Sequence, residues 1–170
     1  NLNVIRPCDT IETIEAWECA LNEKTIPTVL VLTRQNVSLL RTNHFKENFV
    51  QRGAYPILDF ENYDATIFAT GSEVEIATKS SKNLYKEKLK IRVISFPSWE
   101  LFLKQSKEYK NSIIGNKPRF AIEAGVINGW EKYIPSENFL GINTFGASGP
   151  YKKLYEHFGL TYNNLSKLIK

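Results

Sequence analysis

From Asp64 onward, short apolar runs stopped by glycine or proline alternate with amphipathic stretches of helical period. "ATIFATG" reads as a strand ending at Gly71, and "SEVEIATKSSKNLYKEK" as a helix with a Ser72/Glu75 capping-box pattern and apolar Ile76, Ala77 and Leu84. "IRVISF" is the next strand, stopped by Pro97, and Ser98 is placed to cap one continuous helix, "WELFLKQSKEYKNSII", that Gly115 ends. "RFAIEAG" gives a further strand and "NFLGINTFG" contains a short one. Ser148 with Pro150 opens the helix "YKKLYEHF", closed by Gly159, and Thr161 caps a last helix carrying Leu165, Leu168 and Ile169. Strands joined by helices of this length require right-handed crossovers, which give a mostly parallel, doubly wound sheet with helices on both faces.

The first third of the chain does not complete such a unit. Leu2 to Ile5 reads as the end of a strand. In "CDTIETIEAWECALNEK", Asp9 and Glu12 form a capping-box pattern, and Ile11, Ile14, Trp17 and Leu21 mark one apolar helix face. A strand follows from Thr28. This αβ unit lacks a sheet of its own and would leave its apolar face exposed. The chain contains no methionine, and with the abrupt start "NLNVIRP" it reads as a piece of a longer polypeptide. Residues 37–62 show neither helical nor strand period and read as a connector between domains.

Composition narrows the class of function. Forty-two per cent hydrophobic and 24% charged residues fit a globular domain. No apolar run approaches the roughly 20 residues that span a bilayer, and no signal segment opens the chain. The 22 basic residues face 18 acidic ones and are interleaved with them, as in "KSSKNLYKEKLK", so a nucleic-acid partner is not indicated. Cys8 and Cys19 form neither a disulfide framework nor a zinc motif, which points to reduced thiols in a cytoplasmic protein.

In sheets of this type ligands bind beyond the carboxyl ends of the strands, and three groups fall there. The Gly71–Ser72 turn opens a helix N-terminus, a place that favours anions, but it lacks a dinucleotide or P-loop fingerprint and carries Glu73 and Glu75 beside it. A tight strand-to-helix turn is the plainer reading. Glu123 ends a strand, yet no nucleophile, metal or second titrating group stands near it in sequence, so pairing with a cation or a backbone N–H is its expected role. Arg34 follows the apolar run Val29–Leu32 in "TIPTVLVLTRQNVSLL". A guanidinium at a strand end can hold a phosphate or carboxylate through paired, planar hydrogen bonds, or simply form a surface ion pair. His44, alone in the connector, reads as surface or packing.

The order of motifs resembles the C-terminal part of transketolase over nearly the whole length: "RPCDTIET", "TVLVLTRQN", "GAY", "ATGSEVEIA", "RVISFPSWELFLKQ", "AIEAG", "GWEKY", "FGASGP" and "LYEHFGLT". The resemblance implies three segments: residues 1–45 as the tail of the pyrimidine-binding domain, 46–62 as an interdomain connector, and 63–170 as the C-terminal domain. It implies an enzyme that uses thiamine diphosphate and a divalent metal (Mg or Ca) to move a two-carbon ketol unit between sugar phosphates in the pentose phosphate pathway. It also implies a homodimer, with the rest of the chain and a second subunit as partners.

On that resemblance Arg34 takes the position of the arginine that binds the substrate's phosphate. Val37 and Ser38 depart from the family's Leu-Pro at the positions just after it. The family's metal motif, its activating glutamate and its catalytic histidines have no counterpart here, and His44 and His157 match none of them. The expectation is therefore a chain that alone neither holds thiamine diphosphate productively nor catalyses transfer. The related dihydroxyacetone synthase, distinguished by formaldehyde as acceptor, and a stand-alone binding or subunit-interaction module are the alternatives.

Overall fold

The computed structural model describes residues 1–42 and 46–170; His44 lies outside the described residues. Strand β1 (Asn3–Ile5), helix α1 (Thr10–Asn22) and strand β2 (Thr28–Leu30) form a β-α-β unit whose two strands pair in parallel. Asp9 caps α1 by accepting the Glu12 N–H at 2.9 Å. The reciprocal half of the expected box is absent: the Glu12 carboxylate accepts the Cys8 N–H at 2.7 Å instead.

The second sheet contains β3 (Tyr55–Leu58), β4 (Ala65–Ala69), β5 (Ile91–Ser95), β6 (Arg119–Ile122) and β7 (Phe139–Leu140) in the order β3-β5-β4-β6-β7. All pairs are parallel except β3 with β5. The expected α/β sheet is present, with one addition. Residues 55–58, read from sequence as connector, supply the antiparallel edge strand. Pro56 fits there because an edge strand can leave one N–H side unpaired.

Side-chain alternation sorts the sheet into two cores. Ala65, Ile67, Ala69, Ile91, Val93, Phe120 and Ile122 face helix α2 (Glu73–Lys86) and the C-terminal helix α6 (Tyr162–Ile169), through Val74, Ala77, Leu84 and Leu165. Phe68, Ile94 and Ala121 face α3 (Trp99–Leu103), α4 (Lys107–Ile114) and an aromatic cluster of Phe96, Phe102, Trp130 and Tyr133. The register places Ile67 beside Phe120 and Phe68 beside Ala121, so like faces meet across β4 and β6.

Two helix readings need correction. The stretch expected to be one helix after Ser98 is two, α3 and α4. Ser106 starts the second by accepting the Tyr109 N–H at 3.1 Å, a competing local bond of the kind serine offers inside a helix pattern. The Ser72/Glu75 capping box does not form. The Ser72 hydroxyl turns to Glu73 and Tyr155, and Glu75 accepts from Ser38 and Lys79. The caps by Asp9, Ser98 and Thr161 are present. Helix α5 (Tyr151–His157) follows Pro150 without a side-chain cap. No helix among the described residues is long and apolar enough to cross a membrane.

Helix α1 lies with Glu12 and Ala16 inward, and Ile5, Ala16 and Val50 make a small core between the β-α-β unit and the turn before β3. Ile14, Trp17 and Leu21, the face that the periodicity marks as apolar, stay exposed at 61%, 53% and 66%.

Candidate functional site

The chain leaves β4 toward β5 on one flank and returns through β6 on the other, so the strand order reverses between β4 and β6. A crevice opens at the carboxyl ends of strands at such a reversal, and it is the usual ligand site of an α/β sheet. Here the link between β1 and α1 lies across it. The Arg6 N–H donates to the Pro97 carbonyl at 2.8 Å, and the Arg6 carbonyl accepts the Gly71 N–H at 3.2 Å. The Arg6 guanidinium pairs with the Glu123 carboxylate. Glu123 also accepts the Trp130 indole N–H at 2.6 Å. Both strand-end candidates in the sheet thus have structural partners. Glu123 is engaged by a cation and an indole, as its lack of neighbouring catalytic groups suggested, and the Gly71 N–H serves the chain's own backbone.

Arg34 is different. β2 ends at Leu30, the Val31 N–H still bonds the Ile5 carbonyl at 2.9 Å, and the chain then bends at Arg34 and Gln35. The Arg34 side chain is exposed and has no hydrogen bond or ion pair among the described residues. It lines a hollow of about 290 Å³ with Thr33, Gln35, Gly71, Ser72 and Tyr155. On its other side it borders an open cleft of about 650 Å³ that Asn36, Gly149, Tyr151 and Lys152 share.

The acids near this hollow are occupied. Glu73 is buried and accepts the Tyr155 and Ser72 hydroxyls at 2.5 and 2.7 Å. Burial, together with the charge of Glu73, holds the Tyr155 hydroxyl well above its ordinary range, so it stays a neutral donor. Burial works to raise the Glu75 carboxyl, but hydrogen bonds from Lys79 and Ser38 outweigh it and leave the group below its ordinary value, ionised and paired. An anion reaching Arg34 therefore meets an unpaired guanidinium, while the carboxylates beside it are already held by donors. That combination suits a phosphate or carboxylate.

Two groups that sequence patterns did not connect with Arg34 shape the site. Asp9 reaches past its cap to the chain beyond Arg34, and Tyr155 spans from α5 to Glu73. The Asp9 cap was legible, but its second set of bonds is a contact between segments 31 residues apart, for which a single sequence offers no signal. His157 lies exposed in the last turn of α5 against Phe158. Among the described residues no group of three or more His, Cys, Asp or Glu side chains is placed to hold a metal ion. These residues do not fit the metal site of the cofactor implied by the resemblance.

Fold and site together define a doubly wound α/β domain joined to a β-α-β unit, with a strand-end arginine open to an anion. The chain belongs to the transketolase family: residues 53–161 match the model of the transketolase-like TK C-terminal domain. A transketolase of Cereibacter sphaeroides is 42% identical over the whole chain, which covers 26% of that protein. The transketolase structure from Leishmania mexicana superposes with a TM-score of 0.91 at 39% identity, covering 98% of this chain and 24% of that one. A Pichia stipitis transketolase solved in complex with sedoheptulose 7-phosphate gives 0.90 at 34% identity, covering 98% and 24%. The chain spans about a quarter of the length of the curated relatives it matches.

Proposed function

We propose that this chain is the C-terminal portion of a transketolase that uses thiamine diphosphate and a divalent metal to transfer a two-carbon ketol unit between sugar phosphates. In this reading Arg34 anchors the phosphate of the substrate, at the edge of residues 1–45, the tail of the pyrimidine-binding domain. Residues 46–62 join that tail to the C-terminal domain, 63–170. The observation that carries the reading is the Arg34 guanidinium, exposed and unpaired on a strand-end hollow whose carboxylates are all engaged. The complex of a relative with a sugar phosphate supports the substrate class. A charged fork held at a strand end fixes one end of a substrate and so places the reacting carbon at the other.

The parent works as a cytoplasmic homodimer, and the 170-residue chain alone does not catalyse transfer. The test is Arg34→Ala in the full-length enzyme, assayed with D-ribose 5-phosphate and with D-ribose as acceptors. The expected result is a loss of kcat/KM of about 10- to 100-fold for the phosphorylated acceptor, with D-ribose little changed. An equal loss for both acceptors would remove the phosphate role. Ketol transfer by the purified 170-residue chain would refute its inactivity.

A further inference from the structure

The segment that carries Arg34 is held at two ends. On the near side it leaves β2 through the backbone bond from Val31 to Ile5. On the far side the main chain is held by a single carboxylate. Asp9 is 2% exposed; its Oδ1 accepts the Glu12 N–H at 2.9 Å, and its Oδ2 accepts the N–H groups of Leu40 and Arg41 at 3.0 and 3.3 Å. One oxygen therefore starts helix α1 while the other gathers the returning chain onto the same helix end.

The neighbouring contacts follow the same geometry. The Arg41 guanidinium pairs with Glu15, one turn further along α1, and lies 5.1 and 5.3 Å from the ring centres of Phe49 and Tyr55. Between these two anchors, residues 32–39 have no regular secondary structure. Their side-chain ties are Ser38 to Glu75 at 3.0 Å and Gln35 to the Tyr155 hydroxyl at 3.5 Å. The bonds to a buried carboxylate are charge-assisted and directional, so they set where the segment ends.

We infer that Asp9 is a positioning residue for the Arg34 segment: through Leu40 and Arg41 it fixes the reach and direction of the guanidinium without touching substrate. The substrate consequence rests on the reading of Arg34 as a phosphate anchor; the restraint itself does not. A rigid support of this kind matters because small displacements of an anchoring group can cost far more in rate than in stability.

Asp9→Ser in the full-length enzyme separates the two roles of the carboxylate. Serine keeps an acceptor for the helix cap but is one bond too short to serve the Leu40 and Arg41 N–H groups as well. Amide hydrogen exchange at Leu40 and Arg41 is expected to rise about tenfold or more in this variant, with amides in β4 and β5 unchanged. The KM for D-ribose 5-phosphate is expected to rise about tenfold at nearly constant kcat, and that for D-ribose to stay level. Unchanged exchange at Leu40 and Arg41 overturns the inference whatever Arg34 does. Increased exchange with kcat lowered equally for both acceptors also overturns it, since that is the mark of general damage. If Arg34→Ala in parallel shows no preference between the acceptors, the phosphate reading fails and the inferred effect on substrate falls with it. Should the serine variant fold poorly, the isosteric Asp9→Asn offers a single acceptor oxygen, so amide exchange is expected to rise either at Glu12 or at Leu40 and Arg41, and unchanged exchange at both places overturns the inference.

Discussion

The carboxylate of Glu12 on α1 accepts the Tyr55 hydroxyl at 2.7 Å from the edge strand of the larger sheet, in a site with no solvent exposure. Ser95 of β5 donates to the same oxygen at 2.5 Å, and the Cys8 N–H donates to the other at 2.7 Å. Three donors from three parts of the chain thus converge on one carboxylate, and they join the β-α-β unit to the five-stranded sheet.

Burial raises the Glu12 carboxyl above its ordinary value of 4.5, and the bonds from Ser95, Tyr55 and Cys8 offset that only in part. The native state therefore keeps this proton to higher pH than the unfolded chain does. Where the native state binds the extra proton, stability falls as pH rises. The loss begins near 4.5 and ends once pH passes the raised native value. Its slope is at most about 1.4 kcal/mol per pH unit for one proton. Urea unfolding of the wild type and of Glu12→Gln across pH 4 to 8 should give a difference curve with this sign; parallel curves would show that Glu12 does not titrate differently on folding. Glu12→Ala strands the donors in a dry site and should cost about 3 kcal/mol at neutral pH.

A second prediction concerns close approach of backbone. Gly53 has φ +74°, and a Cβ there would stand 2.0 Å from the Phe102 nitrogen and 2.5 Å from the Ser98 oxygen. Both are main-chain atoms of the α3 turn and cannot rotate away. Gly53→Ala should destabilise the chain by more than about 3 kcal/mol or prevent folding. Gly71 has φ +56° but open space around its Cβ position. Gly71→Ala should cost only the conformational penalty of about 1–2 kcal/mol. Similar midpoints for the two variants in urea would show that the clash at Gly53 is relieved.

The contrast between these sites and the strand pattern shows what a single sequence reveals. The strand Ala65–Ala69 was legible as an apolar run stopped by Gly71, but all five of its residues are buried, so the sorting of Ile67 and Phe68 onto opposite faces emerges only once the strand is placed in its sheet. The β3 strand was not visible, because Pro56 and the nearby Gly53 are turn signals and its pairing partner, β5, lies beyond the intervening β4. The break between α3 and α4 was concealed because Ser106 sits in a stretch of helix-forming lysine, glutamine and leucine. Arg34 could be singled out as a charged residue after an apolar strand. That its acidic neighbours are already engaged depends on Tyr155 and Lys79 reaching them, which is a property of the folded chain.

The Arg6–Glu123 pair yields a third prediction. Its side chains are 31% and 13% exposed, so the pair is only partly shielded from water. Glu123→Gln keeps an oxygen for the Trp130 indole N–H but removes the charge that faces Arg6. The expected loss is about 1–2 kcal/mol, smaller in high salt because screening already weakens the wild-type pair. Trp130 lies at the centre of the aromatic cluster, packed with Phe68, Phe96 and Tyr133. The packing of the cluster, read by near-ultraviolet circular dichroism, should therefore be unchanged in the folded variant. Lost aromatic bands would mean that Glu123 orders the cluster as well as the crevice.

The last prediction follows from the outer side of α1. Ile14, Trp17 and Leu21 recur at helical spacing and are each more than half exposed, and Val29 in β2 with Val31 and Leu32 just beyond it are exposed as well. Apolar surface exposed in this way drives association, since its removal from water is worth about 25 cal/mol per Å². The 170-residue chain should therefore self-associate as its concentration rises, with a sedimentation coefficient that increases accordingly. Trp17→Lys together with Leu21→Glu should suppress that increase without lowering the urea midpoint, because neither side chain packs into the chain's own core. In a longer protein that covers this face the same pair should destabilise, since it would then place two charges in an apolar interface. Self-association that survives both substitutions would assign it to another surface and leave the outer face of α1 tolerant of water.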